Sequence, residues 1–288
     1  MFKRKVYEVP LPTGRVMRLG ERTLVMAILN ITPDSFSDGG LHSDADRAVE
    51  AGLRMAEEGA DILDIGGEST RPGADSVGAD EEMRRVLPVI ERLAGQTTAL
   101  LSIDTYKAVV ARAAVARGAS IINDISGLQY DPDLAAAAAE TGTALILMHT
   151  RGRSREMYDR AVYQDVVADV SRELQEAVDR ATRAGVRRES VVLDPGFGFA
   201  KRPEHSYQLL ARLSELAALD RPVLSGPSRK SFLKQALGER PPAEREWGTA
   251  AAVTASVLMG AHIVRVHDVK TMTDVVRVTD QIRSAARP

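Results

Sequence analysis

The chain contains no cysteine in 288 residues. That excludes disulfides, thiolate metal sites and a cysteine nucleophile. No run of eighteen apolar residues occurs, so nothing reads as a membrane-spanning helix. Charge of one sign is also missing: Lys and Arg number 38 against 40 Asp and Glu, for a net charge of −2. A near-neutral chain has no general attraction for nucleic acid or a membrane surface. The basic N-terminal stretch, MFKRKVYEVPLPTGR, lacks the apolar segment of a secretory signal. Linkers, low-complexity segments and a Gly-rich dinucleotide-binding turn are absent as well. These absences lead to the expectation of a soluble cytoplasmic protein. Its 44% hydrophobic and 27% charged residues are ordinary for a globular chain. Its length suits one large domain or two small ones.

What is present is an alternation of apolar strand-length runs with helical patterns. The runs are TLVMAILN (23–30), DILDIGG (61–67), ALLSIDT (99–105), SIINDISG (120–127), ALILMHT (144–150), VVLDPGFG (191–198), PVLSGPS (222–228) and HIVRVHD (262–268). Between them lie helical stretches. The first begins near Ser43, a candidate N-cap, and stops at Gly59. Others cover about 80–94, 106–118, a segment begun by Asp131 and Pro132, 161–184, 248–261 and 270–284. The strands lack polar alternation, as parallel strands covered on both faces do. Eight strand–helix units predict an α/β fold, a single-domain (β/α)8 TIM barrel over residues 23–288. Residues 1–22 fall outside the alternation and are expected to form an extension or hairpin over the barrel bottom. A doubly wound open sheet is the alternative.

Barrel enzymes keep their chemistry at the C-terminal ends of the strands. The polar residues there are Asn30, Asp64, Asp104, Asn123, His149, Asp194, the group Ser228, Arg229 and Lys230, and Arg265 with His267. Asp64 reads equally well as a turn former, and His149 as a structural histidine. Asp104, Asn123 and Asp194 combine carboxylate acceptors with a carboxamide that both donates and accepts. That set suits a flat heterocycle with an amino-amide edge. Lys230, Arg265 and His267, with Asn30 beside them if the first strand meets the eighth, suit a phosphate group, helped by backbone N–H groups of a helix after GPSRKS. For Arg265 the competing reading is an ion pair with a barrel acid. The Asn30 amide oxygen suits Mg²⁺, which takes few protein ligands and fills the rest from water and phosphate. Two overlong loops, residues 31–40 and 66–78, carry Phe36 and Arg71 and are expected to act as lids.

The motifs LNITPDSFSDGG, DIGGESTRPGA, SIDT, INDISG, LMHTRG, LDPGFGFAK, SRKSF and VRVHDV run in this order from about residue 25 to 270. Together they resemble the dihydropteroate synthase family of pterin-binding barrels, the folate-pathway enzymes targeted by sulfonamides. The resemblance implies condensation of 6-hydroxymethyl-7,8-dihydropterin diphosphate with para-aminobenzoate, with Mg²⁺ assisting and a homodimer as the usual assembly. By position it implies that Asp104, Asn123, Asp194 and Lys230 hold the pterin. Asn30, Thr70, Arg265 and His267 match the diphosphate site, with Asn30 the Mg²⁺ ligand. Phe36, Arg71, Pro72, Phe199 and Ser231 match the para-aminobenzoate pocket. Asp38, with Lys230, Arg265 and His267, matches the catalytic groups.

Three positions depart from the family's commonest pattern: Thr150 for Met, Pro227 for Thr or Ala, and Ala200 for Gly. Pro227 removes a backbone N–H just before the expected phosphate-binding turn. Two other readings remain open. A methyltetrahydrofolate-dependent methyltransferase domain shares the pterin set but has no use for the SRKS and VRVH cations. A catalytically silent pterin-binding paralogue is the other.

Overall fold

The computed structural model describes residues 3–12, 14–31, 40–69, 76–153 and 156–285. Tyr7–Pro10 (β1) and Val16–Leu19 (β2) form an antiparallel hairpin. Eight parallel strands follow: Leu24–Asn30 (β3), Ile62–Gly66 (β4), Leu100–Asp104 (β5), Ile121–Asp124 (β6), Ala144–Met148 (β7), Val191–Asp194 (β8), Leu224–Ser225 (β9) and Ile263–Val266 (β10). Their order is β8-β7-β6-β5-β4-β3-β10-β9. A parallel bridge between Leu193 and Val223, with Leu193 N–H donating to Pro222 O at 2.9 Å, closes the ring. The (β/α)8 expectation therefore holds, and closure excludes the open sheet. The first barrel strand does meet the last, since Val264 pairs with Val25 and Arg265 with Met26.

The helices are Gly40–Glu57 (α1), Ala79–Ala94 (α2), Ala108–Val115 (α3), Leu134–Thr141 (α4), Val166–Arg183 (α5), Pro203–Ala211 (α6), Lys234–Leu237 (α7), Glu246–Leu258 (α8) and Val269–Ala285 (α9). Their apolar stripes cover the outward residues of the strands, such as Val25, Leu63, Ile103, Leu145 and Val264, in one buried cluster. Two caps differ from expectation. Ser43 lies inside α1, which starts at Gly40. Asp131 does not cap α4. Its Oδ2 accepts the Ala108 N–H, at the start of α3, at 2.8 Å, while Oδ1 accepts Asp133 N–H at 2.9 Å. The free amides at the head of α3 compete for the carboxylate and win it.

Strand period determines what faces the barrel interior. Met26, Ile62, Ile121, Ile146, Val192 and Ile263 form an apolar lower layer. Val9, Leu11, Met17 and Leu19 of the hairpin join that layer and seal the bottom. Arg4 ties the hairpin segment to the barrel, donating to Thr23 Oγ1 at 2.8 Å and to Gly20 O at 3.1 Å. Above the lower layer the inward positions include polar residues: Asn30 on β3, Asp64 on β4, Asp104 on β5, Asn123 on β6, Asp194 on β8 and Arg265 on β10. The ladder pairs Asn30 with Gly66, Gly66 with Asp104, and Asp104 with Asn123, so Asn30, Asp104 and Asn123 share one level, while Asp64 pairs with Ile28 one step below.

Candidate active site

At the C-terminal end of the barrel lies a cavity of about 430 Å³. Asn30, Asp104, Asn123, Asp194, Phe199, Lys230, Ser231, Arg265 and His267 all line it. Phe36, Asp38, Thr70, Arg71 and Pro72 lie outside the described residues. The foot of the second loop is anchored by Glu68, which accepts Val77 N–H at 3.1 Å and the Tyr106 hydroxyl at 3.0 Å.

The two sets of polar groups, read from sequence as separate, meet at Arg265. Its Nε donates to Asp64 Oδ2 at 2.7 Å, and a terminal nitrogen donates to Asp104 Oδ2, also at 2.7 Å. Asn123 Nδ2 donates to the same Asp64 oxygen at 2.9 Å. Asp64 is thus a fully buried counter-ion in mid-strand, not a turn former. Period-2 reading of β4 points to this: Ile62, Asp64 and Gly66 share the inward face. With one amide hydrogen committed to Asp64, Asn123 offers a ligand its carbonyl oxygen and one remaining N–H. Burial pushes the Asp104 carboxyl up to about 7 against the pull of Arg265. Asp194 is also raised by burial, opposed by Gly196 N–H, which donates to its Oδ1 at 2.7 Å. Both carboxylates therefore gain from any ligand that brings hydrogen-bond donors to them.

The cationic side is built on the β9 and β10 ends. Lys230 Nζ sits 4.0 Å from the centre of the Phe199 ring, a cation–π contact. Burial and the neighbouring Arg265 guanidinium push its pKa down to about 8. His267 is fixed by Ser228, whose hydroxyl lies 3.0 Å from Nδ1 and accepts the His267 backbone N–H at 3.2 Å. The helix expected after GPSRKS is only a 3₁₀ turn over Ser231–Leu233 and the single turn of α7. Gly238 and the proline pair that follows stop it. Its dipole is correspondingly small, and the side-chain cations carry the anion-binding character. Lys230 N–H donates to Pro227 O at 3.3 Å, closing a turn with Arg229 at φ +58°. Pro227 thus serves as an acceptor in this turn.

No trio of His, Asp or Glu close enough to cage a metal occurs among the described residues. Asn30 contributes a single carboxamide at the cavity wall. This donor set fits Mg²⁺ only in the mode where phosphate and water complete the octahedron.

The site is supported from behind by His149 and by Lys201, of which only the first stands out in the sequence. His149 lies behind the cavity, with Nε2 2.9 Å from Glu173 Oε2 and Nδ1 2.8 Å from Lys201 Nζ. Its structural reading stands: burial and the adjacent Lys201 ammonium push its pKa down to about 4, keeping it neutral. Lys201 closes the LDPGFGFAK motif, and its residue type alone does not mark it as buried. Before it, Ala200 has φ +48°. A left-handed alanine is strained by about 1 kcal/mol, more than its advantage over glycine in the unfolded chain. Ala200→Gly is expected to raise the urea midpoint, with a net gain of about 0.5 kcal/mol once that advantage is subtracted. An unchanged or lower midpoint would show that the turn carries no such strain.

A model of the family described as "pterin binding enzyme" matches residues 26–267. The dihydropteroate synthase of Synechocystis is 44% identical over 95% of this chain and 95% of its own. The solved dihydropteroate synthase of Xanthomonas albilineans with 4-aminobenzoic acid superposes with a TM-score of 0.90 at 46% identity, over 99% of this chain and all of that one. The same enzyme in complex with 7,8-dihydropteroate gives 0.85 at 43% identity, over 97% and 100%. A barrel with an acid–amide floor and a cationic rim, matched over nearly its whole length at this identity, belongs to the pterin-binding enzyme family, among the dihydropteroate synthases.

Proposed function

We propose that this chain is a transferase of folate biosynthesis. It joins 6-hydroxymethyl-7,8-dihydropterin diphosphate to para-aminobenzoate, giving 7,8-dihydropteroate and diphosphate. The observation that carries this reading is the single cavity in which Asp194 and Asn123 stand opposite Lys230 and His267. A methyl-transferring pterin barrel needs the first pair and not the second. The known complexes of relatives with 4-aminobenzoic acid and 7,8-dihydropteroate support the same substrates.

In this reading Asp194, Asp104 and Asn123 receive the amino-amide edge of the pterin. Lys230, His267 and Arg265 lower the energy of charge that develops on the departing diphosphate. Arg265 does so from a fixed position, because two carboxylates hold it. Asn30 and Thr70 complete the diphosphate site. Mg²⁺, bound through Asn30 and the diphosphate, would supply further electrostatic stabilisation of that leaving group. The positive charge left on the dihydropterin is delocalised over an electron-rich ring, and Asp38 is proposed to stabilise it. The arylamine is a weak base, attacks as the free amine and needs little activation. Phe36, Arg71, Pro72, Phe199 and Ser231 are proposed to hold para-aminobenzoate, and closure of the 31–40 and 66–78 loops to exclude competing water. Sulfonamides would occupy the same place.

The assembly proposed is a cytoplasmic homodimer. Trp247 on α8 is 82% exposed, and Val278 and Ile282 on α9 are 62% and 50% exposed. These neighbouring helices offer an apolar face suited to a second copy. No helix among the described residues is long and apolar enough to cross a membrane.

The test is product formation from the two substrates, followed by mass and by diphosphate release. Both are expected to require the two substrates together and to fall by an order of magnitude or more on chelation of Mg²⁺. Full activity under chelation would remove the metal from the account, and absence of product would remove the reaction.

A further inference from the structure

Lys201 is only 1% exposed, and among the described residues no carboxylate lies within hydrogen-bond distance of it. Its ammonium donates to Gly196 O at 3.0 Å, to Phe199 O at 3.0 Å and to His149 Nδ1 at 2.8 Å. With His149 O a fourth, longer contact at 3.4 Å, all three N–H groups of the charged form are engaged. Since His149 Nδ1 accepts, its proton sits on Nε2 and is donated to Glu173, which Arg151 Nε holds in turn at 3.1 Å. A buried cation without a direct counter-ion is costly, and burial pushes the Lys201 pKa down to about 7. An apolar residue would avoid that cost but strip Phe199 O of the ammonium and leave Gly196 O with only the Phe199 N–H, which donates to it at 3.1 Å.

That turn, residues 196–200, lies between β8 and α6. It is also held elsewhere along its length. The Tyr163 hydroxyl donates to Ala200 O at 2.8 Å, the Tyr158 hydroxyl reaches Gly198 O at 3.4 Å, and Gly198 N–H donates to Ser206 Oγ at 3.3 Å. Gly196, at φ +68°, presses on β7 so closely that a Cβ there would come within 2.1 Å of His149 O. Phe197 and Phe199 of this turn both line the cavity; Phe197 packs on Phe232, and Phe199 carries the contact with Lys230.

We propose that Lys201 is a positioning residue whose buried ammonium, braced by His149 and Glu173, fixes the 196–199 turn and thereby sets the Phe199 face on which the aromatic amine substrate is held. The proposal rests on the reading of the cavity given above and deepens it. Asp194 touches the turn only through Gly196 N–H and is held independently by its strand. The β8 strand holds its backbone through His149 N–H, which donates to Asp194 O at 2.9 Å. Loss of the ammonium should therefore separate the two substrates.

The experiment is steady-state kinetics of Lys201→Met, with pterin diphosphate affinity measured by calorimetry. The expected result is a rise of about tenfold or more in KM for para-aminobenzoate, with kcat and the pterin dissociation constant within about threefold of the unsubstituted protein. Equal loss of both affinities, or no change in either, would overturn the proposal and leave Lys201 a general structural cross-link. Should Lys201→Met not fold, Tyr163→Phe, which removes only the hydroxyl on Ala200 O, carries the test. It is expected to move the same KM upward by about threefold, and an unchanged KM would overturn the proposal. A failure of the functional reading looks different, because the unsubstituted protein would then make no dihydropteroate.

Discussion

Asp194→Ala is expected to weaken pterin diphosphate binding by at least about a hundredfold while leaving the barrel folded. The carboxylate stands at the end of β8, is 6% exposed and faces the cavity. One oxygen is partly committed to Gly196 N–H. The donors of an amino-amide edge would take up what remains of its accepting capacity. Hydrogen bonds to a charged acceptor contribute about 1.5–3 kcal/mol each. Losing two of them gives an effect of a hundredfold or more. The fold should survive, because the substitution removes a buried charge and shortens a side chain that bridges no elements. Calorimetric titration with circular dichroism on the same sample separates the two effects. Wild-type affinity in the variant would move the pterin site away from Asp194.

The second large effect concerns Arg265. Arg265→Met is expected to destabilise the protein by about 3–5 kcal/mol, because breaking a buried ion pair from one side leaves uncompensated charge. Here two carboxylates are left. Asp64 is fully buried and Asp104 is 8% exposed. The loss should depend on pH in a definite direction. Without the guanidinium the buried Asp104 carboxyl, already raised by burial, resists ionisation further in the folded state, so the native protein binds more protons than the unfolded chain. Stability then falls as pH rises. Urea midpoints of the variant are expected to lie further below wild type at pH 8 than at pH 5.5. Adding Asp64→Asn should recover part of the loss, since it removes one of the stranded charges. Arg265→Lys should recover little, because Nε and a terminal nitrogen reach two separate acids and a single ammonium does not span them. A pH-independent loss would mean that the carboxylates find other partners.

These two sites also mark what was legible in the sequence. The eight apolar runs, their order and the polar residue near the top of each strand were readable because parallel strands buried on both faces leave long hydrophobic signatures. The pairing within the polar layer was not. Arg265 lies 201 residues from Asp64, and only barrel closure brings them into contact. The chemistry of single residues favoured a phosphate role for Arg265, whereas the geometry commits it first to two acids. Lys201 was hidden for a related reason. A lysine next to a proline-started helix reads as solvated, and its burial depends on the folding of β7 and α5 over it. Conversely, the helix expected after GPSRKS was over-read, since Gly238 and Pro241–Pro242 cut it to one turn.

The central claim is that one cavity binds a pterin at its carboxylate floor and releases diphosphate at its cationic rim in exchange for an arylamine. Diphosphate release followed against para-aminobenzoate concentration tests this most directly. The account predicts release that is dependent on the amine, stoichiometric with 7,8-dihydropteroate, and blocked by Asp194→Ala. Release without the amine at the same rate, or methyl transfer from a tetrahydrofolate in place of release, would contradict it.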